Sequence, residues 1–146
     1  MQVYGGSSNF DKIQKVFNFA ARVIGRRRKY DHISGLLEQY EWLSAEQCVQ
    51  YFELCTLHRI ITTGEPTILS RQFVLNRDVV RRHTRQSDQM VLPRPRTNHG
   101  KRCFIYRSYS LFNKYFASSQ TSFLSVTTNV AKKLTREVIT EPSTLD

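Results

Sequence analysis

The strongest constraint on the fold is a helical period that opens and closes on its own signals. After Asn9, a good N-cap, Phe10, Ile13, Val16, Phe17, Ala20 and Ile24 recur at steps of three and four up to Gly25. That spacing lays apolar side chains along one helix face, and glycine suits the left-handed position just past a helix end. The period predicts a first helix over residues 9–24. A second one begins at Ser44-Ala-Glu-Gln47, a capping box in which each of the two polar side chains accepts from the other residue's backbone N–H. It opens a longer helix to Thr63, stopped by Gly64, with Val49, Phe52, Cys55, Thr56 and Ile60 as the expected buried face.

The remaining segments attach to these two helices. Ser34 caps a short helix through Leu36, Leu37, Glu38 and Tyr40, and Pro66 suits the first turn of another through Ile68, Leu69 and Phe73. Past Asn76 the pattern breaks into a polar, basic run without period, which reads as an exposed loop. Residues 89–96 and 101–107, separated by Thr97-Asn-His-Gly100, read as a short β-hairpin around residues 89–106. Pro93 and Pro95 confine its first segment to an edge. A short helix is expected over 108–116. Val126, Val130, Leu134 and Val138, four residues apart, predict a last amphipathic helix before a polar tail. The expectation is a mainly α chain: a flexible lead-in over 1–8, a helical module with one hairpin over 9–116, and a linker, helix and tail over 117–146.

Charge narrows the partner class. The chain has 22 Lys and Arg against 12 Asp and Glu, a net charge of +10, and arginine supplies most of the cations. The excess sits in two blocks, residues 1–30 and 64–116, separated by an acidic helical stretch. Guanidinium groups fork onto phosphate and stack on bases, so nucleic acid is the leading partner class. The candidate contacts are Arg26, Arg27, Arg28 and Lys29; Arg81, Arg82 and Arg85; Arg94 and Arg96; and Lys101, Arg102 and Arg107. Tyr30 and Tyr106 among them offer faces for unpaired bases. A plainer reading of the first cluster stands beside this one: cations just past a helix C-terminus meet the macrodipole favourably. In that reading Tyr30 and Ile33 pack the chain back onto the first helix, and Asp31 pairs with a nearby arginine.

Catalytic signatures are absent. Metal-dependent phosphoryl transfer needs converging carboxylates, and no Asp-Asp or Asp-x-Asp occurs. Cys55 with His58, and His99 with Cys103, each offer two zinc ligands, but the spacings match no zinc knuckle or ribbon, so neither a metal nor another cofactor is expected. His58 is expected at the helix edge beside Arg59, and Cys48 and Cys55 as small core hydrophobes. Three cysteines without framework spacing fit a reducing intracellular compartment, nuclear or cytoplasmic. No signal-peptide core and no run of 18 apolar residues is present, so no membrane association is expected.

Four ordered pieces carry a resemblance. FDKIQKVFNFAARVI, RKYDHISGLLEQYEWLSAEQ, YFELCTLHRIITTGEP and RQSDQMVLPRPRTNHGKRCFIYRSYSLFN resemble the region that follows the polymerase domain in reverse transcriptases of non-LTR, jockey-like retrotransposons. The likeness covers residues 10–116. It departs at Tyr109, where the family has proline, at Phe112, where tryptophan is usual, and at Lys114-Tyr115-Phe116, where ser-leu-pro is common. The resemblance implies a C-terminal piece of an RNA-directed DNA polymerase whose catalytic aspartates lie upstream. No catalytic residue is carried over to this chain. Its implied partners are the polymerase domain and RNA or DNA, contacted with low specificity. The alternative it leaves is a truncated or decayed element that serves only as a structural or interaction fragment.

Overall fold

The computed structural model describes residues 7–80, 86–116 and 123–140. Its helices are α1 (Ser7–Ile24), α2 (Ser34–Gln39), α3 (Ala45–Thr63), α4 (Thr67–Ser70), α5 (Asn76–Val79), α6 (Phe104–Tyr115) and α7 (Thr128–Thr140), with one 3-10 turn, Gly100–Arg102. The chain divides into two units, Met1–Val49 and Gln50–Asp146, the boundary falling inside α3. Where the sequence predicts a lead-in over 1–8, α1 already begins at Ser7; residues 1–6, the linker 117–122 and the tail 141–146 lie outside the described residues.

In the first unit α1 begins two residues earlier than predicted, and its inward face is rotated from the one its apolar period marks, keeping Phe10, Phe17 and Ala20 but not Ile13, Val16 or Ile24. Phe10, Gln14, Phe17, Asn18 and Ala21 turn inward, whereas Ile13, Val16, Phe19, Val23 and Ile24 are exposed. The inward choice follows from polar pairing that apolar periodicity does not register. Gln14 Nε2 donates to Asn18 Oδ1 at 2.9 Å, and the backbone N–H of Ala45 donates to Gln14 Oε1 at 2.8 Å, so α1 satisfies an orphan donor at the start of α3. The predicted capping box is present: the Gln47 N–H donates to Ser44 Oγ at 3.2 Å and the Ser44 N–H to Gln47 Oε1 at 2.9 Å.

The end of α1 differs from expectation in an instructive way. The left-handed residue is Arg26, with φ 49°, one position beyond Gly25. The Arg27 N–H donates to the Arg22 carbonyl at 2.9 Å and the Arg26 N–H to the Val23 carbonyl at 3.3 Å, the two bonds of a Schellman motif. Gly25 serves packing instead, for a Cβ there would lie 2.6 Å from Leu36 Cδ1. The same motif ends α2, with Glu41 left-handed at φ 49° and the Trp42 N–H donating to the Leu37 carbonyl at 2.9 Å.

The second unit has one apolar core. Leu54 and Leu57 of α3, Met90, Tyr109, Phe112 and Phe116 around α6, Phe123, and Ala131 and Ile139 of α7 form it. Each fully buried leucine contributes about 1.5–3 kcal/mol relative to exposure. Phe116 stacks on Phe123 with ring centroids 4.1 Å apart. The expected α3 face is rotated: Phe52 is 66% exposed, whereas Glu53, Leu54, Leu57 and His58 are buried beside Ile60. On α7 the buried set is Ala131, Thr135 and Ile139, one position on from the predicted stripe, with Leu134 and Val138 flanking it and Val130 exposed. Thr135 is tolerated there because its hydroxyl donates to the Ala131 carbonyl at 2.7 Å.

The predicted β-hairpin around residues 89–106 is not formed; among the described residues there is no strand, only an isolated antiparallel bridge between Leu75 and Met90. The Val91 N–H donates to the Val74 carbonyl at 3.0 Å and the Asn76 N–H to the Gln89 carbonyl at 2.9 Å. In an extended chain the next donor on that edge would belong to residue 93, and Pro93 has none. The intended second segment is helical because Ile105, Tyr109, Phe112 and Phe116 continue one 3.6-residue period through it. Tyr109 and Phe112, both departures from the resembled pattern, are core residues of α6.

Candidate nucleic-acid interface

In the first unit the run Arg26, Arg27, Arg28 and Lys29 is exposed throughout, in the joint between α1 and α2. The Schellman turn reverses the chain at Arg26 and so presents the following cations outward. Asp31 stabilises the turn, but through the backbone: its Oδ2 accepts from the Arg28 N–H at 2.8 Å, not from a guanidinium. Tyr30 is 87% exposed and does not pack on the first helix as the plainer reading required. Lys29 Nζ lies 5.4 Å from its ring centroid, a cation–π arrangement at the surface.

In the second unit the cations flank an extended, proline-rich segment. Asn113 of α6 fixes the start of that segment at Met90, accepting from its N–H at 2.7 Å and donating to its carbonyl at 2.9 Å. The segment then runs outward through exposed Leu92, Pro93 and Arg94. At its far end the Gly100 N–H donates to Thr97 Oγ1 at 3.1 Å, and a Cβ on Gly100 would lie 2.6 Å from Pro95 Cβ. That close approach turns the chain back at Gly100, so that Lys101 lines the same cleft as Arg94; Arg94, Arg96, Lys101 and Arg102 are all exposed. Residues 89–95 line an open cleft of about 480 Å³ together with Asn76, Lys101, Tyr106 and Asn113.

Arg107 differs from its neighbours. It is held inward in an ion pair with Glu53 of α3, both side chains nearly buried, so it belongs to the core's support and not to a surface. Arg81, Arg82 and Arg85 lie outside the described residues.

Of the cysteine and histidine candidates, His58 and Cys55 are drawn into the fold, whereas His99 and Cys103 are exposed. His58 is buried, with Nε2 3.0 Å from the Val126 carbonyl and its ring edge-on to Phe123 at 5.2 Å. A carbonyl can only accept, so the proton sits on Nε2. This overturns its expected place at the helix edge, and the pairing with Val126, 68 residues away, left no local sign in the sequence. Burial pushes the Cys55 thiol above its ordinary value, which makes it a poor nucleophile. Among the described residues no group of three or more His, Cys, Asp or Glu side chains converges on a metal position, and no helix is long and apolar enough to cross a membrane.

No family profile, curated protein or solved structure matches the chain.

Proposed function

We propose that this chain is a non-catalytic helical accessory module of the kind that follows the polymerase domain in non-LTR retrotransposon reverse transcriptases, packing on that polymerase and contacting RNA or DNA through its arginine clusters. One observation carries the nucleic-acid part. Arg26, Arg27, Arg28 and Lys29 in one unit, and Arg94, Arg96, Lys101 and Arg102 in the other, are exposed, and among the described residues none is ion-paired. Unpaired cations at this density attract a polyanion and release its counterions on binding. The test is fluorescence anisotropy with a short single-stranded RNA across a salt series. Log affinity should fall with log salt by about 0.7 per phosphate neutralised. Replacing Arg26, Arg27 and Arg28 together by Ala should weaken binding and flatten that slope. Absence of binding at low salt would reject the reading.

A specific observation favours a second reading, an interaction fragment without independent activity. Ile13, Val16, Phe19 and Val23 form an exposed apolar stripe along α1, and such stripes mark surfaces completed by a partner. In that case the isolated chain should associate or bind hydrophobic dye, and Val16→Glu with Phe19→Glu should suppress both while leaving helix content unchanged.

A further inference from the structure

The open cleft beside the proline-rich segment combines features that generic basic surface does not. Arg94 lies on its extended side, and Lys101 on the turn that closes back. Tyr106 of α6 lines the same cleft. Among the described residues the Tyr106 ring pairs with no other aromatic ring and its hydroxyl has no partner, although neighbouring Tyr109 has both. Among the described residues no carboxylate lines the cleft; its other polar side chains are the amides of Asn76, Gln89 and Asn113. Its volume of about 480 Å³ falls within the range of small-ligand clefts.

We infer that this cleft seats one nucleotide of a single-stranded nucleic acid, with the base against the Tyr106 ring and the flanking phosphates on Arg94 and Lys101. An unpaired aromatic face with cations beside it is what an unstacked base and its phosphates require, whereas a duplex offers phosphates but no free base face. The inference rests on the nucleic-acid reading above and adds a defined site to it.

The test uses the full chain with three probes: a short oligo(U), an abasic strand of the same length, and free UMP. Wild type should bind oligo(U) about tenfold more tightly than the abasic strand, as one stacked base supplies. Tyr106→Ala should abolish that preference and Tyr106→Phe should keep it. Arg94→Ala with Lys101→Ala should weaken both strands and lower the salt slope by about 0.7 for each cation. On the unaltered protein, ultraviolet cross-linking of a bromouridine-containing strand should place an adduct on Tyr106, a readout independent of variant folding. If the wild type binds both strands equally, or the adduct maps elsewhere, the cleft is not the site. If UMP competes as well as oligo(U), the strand assignment is overturned in favour of a free nucleotide. If nothing binds at low salt, the broader reading falls as well. If Arg26→Ala, Arg27→Ala and Arg28→Ala weaken binding while the cleft variants do not, only the cleft is rejected.

Discussion

Glu53 of α3 and Arg107 of α6 form an ion pair in which both side chains are nearly buried. Such a pair is a weak source of net stability, yet removing one partner strands the other charge in a poor solvent. Arg107→Ala should therefore lower unfolding stability by about 3–5 kcal/mol, measured as a shift of the urea midpoint. Glu53→Leu with Arg107→Met should recover much of that loss. RNA affinity measured on the folded fraction should change little, in contrast to changes at Arg94 or Lys101.

The junction of α1 and α2 makes opposite predictions for adjacent residues. Gly25→Ala should destabilise, because its new Cβ would meet Leu36 Cδ1 at 2.6 Å. Arg26→Gly should stabilise by about 1 kcal/mol, since a left-handed residue with a Cβ is strained and glycine is not. Thermal unfolding of the two variants beside wild type checks the pair, and an Arg26→Gly variant that melts earlier would refute the assigned turn.

Asn113 satisfies both backbone groups of Met90, a residue only 2% exposed. Leaving a buried backbone group unpaired costs about 1–3 kcal/mol. Asn113→Ala should lose at least that much, read from chemical denaturation. Asn113→Asp should keep the bond from the N–H but place a carboxylate against the carbonyl, and so should not rescue the variant.

Burial pushes the Tyr109 hydroxyl up to about 12 from its ordinary 10.0, while it donates to the Gln72 carbonyl. The folded state therefore favours the neutral phenol, and a proton lost above pH 10.0 is lost more easily by the unfolded chain. This contribution is fully present below pH 10.0 and is lost as the pH rises through about 12. Stability from denaturant titration should fall across that window, and Tyr109→Phe should flatten the fall. A late phenolate absorbance step should also disappear in Tyr109→Phe.

Local signals were legible where the energy is local. The capping box at Ser44 and Gln47, the stop at Gly64 and the helical period of α7 involve residues within a few positions, and all are formed. The hairpin misled because alternating apolar and aromatic residues are compatible with either period over so short a run. Pro93 and the longer period ending at Phe116 settled it in favour of a helix. Of the candidate contacts, the exposed clusters around Arg26 and Arg94 could be read from charge and breaker residues. That Arg107 is engaged with Glu53, 54 positions earlier, could not.

Sequence alone therefore determined the helical character, the stop at Gly64 and the exposed cations at 26–29 and at Arg94, Arg96, Lys101 and Arg102, because propensity, capping and charge act over a few residues. Tertiary structure determined which face of each helix turns inward. Gln14 and His58 lie inward because the Ala45 N–H and the Val126 carbonyl meet them there, and Phe52 and Phe19 face outward. A polar group goes inward only where a distant partner satisfies it, and the chain's one-dimensional pattern does not contain that partner's position.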